Sequence, residues 1–240
     1  MKNTPNLYNL QALKQMQLDG KKIGLLGGSF NPPHAGHLAI SQRALELGLD
    51  YVLWLVVPQN PLKPPYESSL EKRAELASIL ASKEPHIVIS TLEEEIKTTN
   101  SYDTIRYLTS HFPKTYFIWI MGVDCLKEFY LWENYDKFPE LVDIMIFNRK
   151  GYEDLLHNSI AGSLLIPIID QSNTRSVNAL ERKPILNRCA PEIMQRDVVG
   201  DRYRIGIKAK TCKKYKSGVV FIEEKLSDLS STEIRKKEKI

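Results

Sequence analysis

Between Lys21 and Arg149 short apolar runs alternate with helix-patterned segments, and this alternation restricts the fold more than any other feature of the chain. The runs "KKIGLLGG" (21–28), "YVLWLVV" (51–57), "HIVIS" (86–90), "TYFIWIMG" (115–122) and "VDIMIFNR" (142–149) have the composition of buried strands. Between them, 37–48 reads as a helix stopped by Gly48. "SLEKRAELASILAS" reads as one opened by a capping box of Ser68 and Glu71, 101–112 as one ending before Pro113, and 123–135 as a fourth. Strand–helix repetition predicts an α/β chain, a Rossmann-like open parallel sheet with helices on both faces and right-handed crossovers. Ligands of such sheets lie outside the C-terminal strand ends. The unusual loops here (27–37, 58–66 and 121–125) each follow a strand, so they are expected to share one site.

Past residue 150 the pattern weakens. "SLLIPIID" (163–170) and "GVVFIEE" (218–224) read as strands, whereas 171–216 is rich in base and shows no sustained period. The chain of 240 residues is 42% hydrophobic and carries a net charge of +4, which suits an anionic small substrate better than a nucleic acid. No apolar run approaches the ~20 residues of a membrane span, and the polar start "MKNTPNLYNLQALKQMQLDG" lacks the features of a secretory signal. Cys125, Cys189 and Cys212 have no metal-ligand spacing and are read as free thiols, which places the chain in the cytoplasm.

The loop "GLLGGSFNPPHAGHLAI" (24–40) carries the strongest chemical signal. A glycine-rich turn between a parallel strand and a helix aims backbone N–H groups and a helix N-terminus at an anion. Gly27 and Gly28 admit a close phosphate, Ser29 adds a hydroxyl, and Pro32 and Pro33 stiffen the approach. His34 and His37 stand three apart, so their rings face one point if a helix begins near His34. Gly36, without a Cβ, leaves room between them. Taken singly, such histidines are ordinary polar surface. A metal is the other reading of a histidine pair, but no carboxylate or third histidine lies close in sequence.

"GGSFNPPHAGHL" resembles the nucleotide-binding signature of the nucleotidylyltransferase superfamily, in the longer form of its nicotinate-nucleotide adenylyltransferase branch. Other segments resemble the same branch. "LSSTEIR" (229–235) is similar to its closing motif, with Leu229 for an isoleucine. "WIMGVDCLKEFYLWENY" is similar to its Gly-x-Asp-x-Leu…Trp segment. In "TTNSYDTIRYL", Asn100 and Ser101 stand where the branch has tyrosine and threonine, and "PQNPLK" resembles its proline-rich loop.

The resemblance implies transfer of AMP from ATP to nicotinate mononucleotide, giving deamido-NAD and pyrophosphate. It assigns His34, His37, Lys63 and Arg235 to catalysis, with His37 nearer the α-phosphate. Gly27, Gly28, Ser29, Phe30, Gly36, Gly122, Asp124, Ser230, Ser231 and Thr232 are assigned to ATP, and Asn60, Ser101, Thr104 and Trp132 to the mononucleotide. Mg2+ is expected to arrive on the ATP phosphates, with no metal ligand from the protein. Residues 1–20 are then an N-terminal extension, and 21–240 one nucleotidylyltransferase domain with a small C-terminal helical subregion and an atypical basic insertion near 171–216.

The rivals are a sister transferase of the same fold, taking nicotinamide mononucleotide or phosphopantetheine, and a nucleic-acid binder using "RYRIGIKAKTCKKYK" (202–216). Acidic neighbours and the mild net charge favour a solvated face for the latter. A catalytically dead nucleotide sensor is disfavoured by the presence of both histidines and Arg235. A homo-oligomer is compatible with the sequence.

Overall fold

The computed structural model describes residues 7–148, 152, 155–160, 210–211 and 218–222. The chain gathers into two compact units, one reaching Phe117 and the other beginning at Ile118.

In the first unit β1 (Leu7–Tyr8), β4 (Ile87–Ser90), β3 (Tyr51–Val56) and β2 (Lys22–Gly28) lie in that order, every neighbouring pair parallel. β2 and β3 run in register from Ile23 opposite Tyr51 to Gly28 opposite Val56, so both strands end at one level. Ile23, Leu25, Leu26, Val52 to Val56 and Ile87 to Ile89 are all buried, the signature of a parallel sheet whose strands are apolar throughout. The connecting helices are α2 (Ala35–Glu46), α3 (Leu70–Leu80), the short α4 (Leu92–Glu95) and α5 (Ser101–His111).

Helix α3 starts one residue later than the capping pattern predicts. Ser69, not Ser68, is the N-cap, and its Oγ accepts from the N–H of Lys72. Residues 7–20 contribute to the sheet and the core of this unit. β1 adds to the sheet beside β4, α1 (Leu10–Gln15) is capped by Asn9, and Leu13 and Leu18 are buried in the core.

The second unit holds β5 (Tyr116–Gly122) from Ile118 onward; β5, β6 (Asp143–Phe147) and β8 (Gly218–Ile222) are parallel in that order, and β7 (Lys210–Thr211) pairs antiparallel with β8. The strand expected at 218–224 is therefore present. The segment 123–135, expected as one helix, forms a series of 3-10 turns followed by α6 (Phe138–Leu141). Asn134 breaks it in the left-handed region at φ 54°, and Phe129 and Phe138 turn inward to pack edge-on at 5.1 Å. A short helix, α7 (Leu155–Asn158), follows. Residues 163–170, most of the basic insertion and the C-terminal helical subregion lie outside the described residues.

Candidate active site

The loop from β2 to α2 folds around one arrangement of side chains. His34 is the N-cap of α2, with extended backbone at φ −148° and ψ 168°. Its Nδ1 accepts the N–H of Gly36 at 3.1 Å, and its own N–H donates to Nδ1 of His37 at 3.2 Å. Two N–H groups that a helix start leaves without a partner are thereby satisfied by imidazoles rather than hydroxyls. The ring centroids are 3.8 Å apart.

The chemistry follows from the cap. A neutral imidazole that accepts at Nδ1 carries its proton on Nε2. Each ring thus has its N–H at Nε2. Such a pair suits phosphate oxygens. Among the described residues no three His, Cys, Asp or Glu side chains stand together as metal ligands.

Behind the histidines lies an aromatic support. Phe30 is 1% exposed and sits in the left-handed region at φ 46°, which turns its ring into the core. There it stacks on Trp54 at 5.0 Å and meets His37 at 4.6 Å. Trp54 donates through Nε1 to Ser41, and Ser41 donates to the His37 carbonyl at 2.8 Å. Phe30 therefore supports the loop with its side chain instead of presenting it to a ligand. Gly28 serves the same packing, since a Cβ there would come within 3.2 Å of the Phe30 ring. The absence of that Cβ makes room for the aromatic ring, where the sequence suggests clearance for a phosphate. Gly36 is buried and its N–H belongs to the cap.

Ser29 is tied to the proline-rich loop through a 2.6 Å bond between its Oγ and the Tyr66 hydroxyl. The same hydroxyl accepts from the N–H of Asn60 at 3.1 Å, and Asn60 in turn accepts the N–H of Lys63 at its carbonyl. Lys63 is exposed. Under both loops lies Arg73, a buried guanidinium that the sequence does not single out. Its signal is its position on α3, since it falls among Leu70, Ala74 and Ala77 on the buried face, where an unpartnered charge is not tolerated.

At the head of α5, Asn100 caps the helix by accepting from Tyr102, and Ser101 opens it, half-buried. Thr104 is fully buried, with its hydroxyl directed at Glu93 (3.0 Å) and the Asn100 carbonyl (3.2 Å). It holds the helix start together from within, where the resemblance implies a ligand contact. Glu93 is 1% exposed, and burial pushes its carboxyl up to about 7 against the counteracting Thr104 bond.

In the second unit β5 ends at Gly122, and a 3-10 turn brings Asp124 back over the strand end. A Cβ at Gly122 would overlap the Asp124 carboxylate, which gives the Gly-x-Asp spacing a steric reason. Trp132 is half-buried, with its edges on Phe129 (5.2 Å), Trp119 (6.0 Å) and Phe138 (6.1 Å). Ser230, Ser231, Thr232 and Arg235 lie outside the described residues.

A family model described as cytidylyltransferase-like matches residues 25–237. A probable nicotinate-nucleotide adenylyltransferase of Parvibaculum lavamentivorans is 41% identical over 143 residues, 59% of this chain and 71% of that one. One from Methylorubrum extorquens is 43% identical over 133 residues, 55% and 71% of the two chains. The structure of Plasmodium falciparum nicotinic acid mononucleotide adenylyltransferase complexed with NaAD superposes with a TM-score of 0.50 at 19% identity, covering 57% of this chain and 70% of that one. That last likeness speaks for the Rossmann-like α/β fold alone.

Proposed function

Because the chain belongs to the cytidylyltransferase-like family, we propose that it is an enzyme moving AMP from ATP onto nicotinate mononucleotide, with release of pyrophosphate. The curated relatives described above support this acceptor. The observation that carries it is the reciprocal cap of His34 and His37, which holds two Nε2–H donors 3.8 Å apart by ring centroid at a helix N-terminus.

In this reaction a phosphate oxygen of the mononucleotide attacks the α-phosphorus of ATP. The bond from that phosphorus to the bridging oxygen breaks, and pyrophosphate leaves with the electron pair. The chain's work is to place the two phosphates in line and to stabilise negative charge on the equatorial oxygens as it grows. His37 and His34 donate to those oxygens, Ser29 and the α2 N-terminus hold the triphosphate, and Lys63 attracts the leaving group, as does Arg235 of the closing motif at 229–235. Mg2+ would arrive on the triphosphate and offset its charge, and the donors of the loop fit phosphate oxygens. Asp124 accepts nucleotide hydroxyls, the α5 start with Ser101 takes the pyridine end, and Trp132 stacks on the ring. Asn60 stands in the loop assigned to the acceptor.

The test is pyrophosphate release by the purified chain with ATP and Mg2+, with nicotinate and nicotinamide mononucleotides compared side by side and the dinucleotide identified by mass. A clear preference for nicotinate is expected. Turnover of neither acceptor overturns the proposal, and a preference for nicotinamide moves it to the sister activity.

A further inference from the structure

We propose that Arg73 is a positioning residue of the transfer centre: with Tyr66 it locks the histidine loop to the proline-rich loop and holds a positive charge directly behind Ser29. The inference rests on the reading of residues 24–40 as the phosphate site.

Arg73 is 1% exposed, yet among the described residues it has no ion-pair partner. Its guanidinium is satisfied by backbone carbonyls: Ser29 at 2.6 Å and Val57 at 2.9 Å from Nη1, Pro58 at 2.9 Å from Nη2, and Ser68 at 3.3 Å from Nε. These carbonyls belong to two different strand-ending loops and to the approach to α3. One planar fork therefore sets the spacing between the loop that carries the histidines and the loop that carries Asn60 and Lys63. The N–H of Val57 donates to the Gly28 carbonyl at 3.1 Å and adds a backbone stitch beside it.

Tyr66 completes the lock. Its ring lies 4.6 Å from the guanidinium carbon, the geometry of a cation–π contact. Its hydroxyl joins Ser29 Oγ to the Asn60 N–H. Ser29 is thus held by its carbonyl through Arg73 and by its side chain through Tyr66.

A purely structural role would be met by an apolar side chain, since α3 already buries Leu70, Ala74 and Ala77 on the same face. What an apolar residue cannot supply is a cation held by carbonyl dipoles and the Tyr66 ring, whose charge acts on an anion bound at the loop. Lysine cannot take its place, because a point ammonium lacks the fork that reaches Ser29, Val57 and Pro58 together.

The experiment compares Arg73→Lys and Tyr66→Phe with the wild type in two measurements: steady-state kinetics of pyrophosphate release, and amide hydrogen exchange of peptides covering 28–37 and 57–66. Arg73→Lys is expected to lower kcat at least tenfold. It should also speed exchange in both loops while β4 and α5 exchange at the wild-type rate. Tyr66→Phe keeps the ring over the guanidinium and should act in the same direction by a few fold, which carries the test if Arg73→Lys does not fold. Wild-type kinetics in both variants, or faster exchange spread evenly over the first unit, overturns the inference. A wild type that releases no pyrophosphate overturns the functional reading instead, and the loop-specific exchange still decides the lock.

Discussion

His34 and His37 cap the helix they belong to by way of each other: the His34 N–H donates to His37 Nδ1 while His34 Nδ1 accepts from Gly36. One pair of side chains does two jobs. The inner nitrogens end the helix, and the outer nitrogens carry the protons.

The two jobs separate by substitution. His37→Asn retains an acceptor near the Nδ1 position but loses the Nε2–H donor, whereas His37→Ala loses both. Both variants are expected to lose about 10²- to 10³-fold in kcat, the usual effect of removing one donor to transition-state charge. Only His37→Ala should also lose about 1 kcal/mol of stability with the cap. Turnover assays and urea titration read the two effects, and near-normal turnover of His37→Asn would remove His37 from the chemistry.

Gly28→Ala tests the aromatic support. The added methyl would press on the Phe30 ring, which is fixed between Trp54 and His37. Overpacking of this kind costs about 1–3 kcal/mol. Activity should fall further than stability explains, because the displaced ring bears on His37. A denaturation midpoint and kcat equal to wild type would show that Phe30 moves freely.

Glu93 makes the fold sensitive to pH. Burial raises its carboxyl from 4.5 to about 7, so the native state holds a proton there that the unfolded chain releases earlier. The resulting stability is fully present below pH 4.5 and is lost as pH rises through about 7, then levels off. At ~1.4 kcal/mol per pH unit this amounts to about 3 kcal/mol. Glu93→Gln should flatten the window and, at pH 8, match or exceed the wild type in stability. Denaturant titrations at pH 5, 6, 7 and 8 measure it, and an unchanged slope in the variant would assign the window to another group.

Trp132→Phe preserves the edge contacts with Phe129, Trp119 and Phe138 but shrinks the exposed face. The KM for the mononucleotide should rise about tenfold, in line with the ~1–3 kcal/mol of base–aromatic stacking, while the KM for ATP stays near wild type. Equal increases in both would make Trp132 a packing residue.

Much of this molecule is legible from its linear pattern. Ile23 to Leu26, Val52 to Val56 and Ile87 to Ile89 are strands because only a sheet covered on both faces accommodates such apolar runs. The histidine spacing announces the helix start because one turn of helix is what brings residues three apart together. Arg73 is hidden for the opposite reason. Its partners are backbone carbonyls of residues 29, 57, 58 and 68, and a carbonyl leaves no mark on residue identity. The turns after Val123 read as one helix because composition there is helical, and the inward packing of Phe129 and Phe138 overrides it.

The sequence by itself determined the alternating strand and helix order and the helix start at the histidine pair, since both follow from local spacing. Only the tertiary structure decided what the individual side chains do there. Phe30 and Thr104 turn inward, Gly28 clears a ring, and each imidazole presents Nε2–H because its Nδ1 is held by a backbone amide. Such roles depend on which atoms meet across the fold, and pairings between a side chain and a distant backbone are not written in the order of the residues.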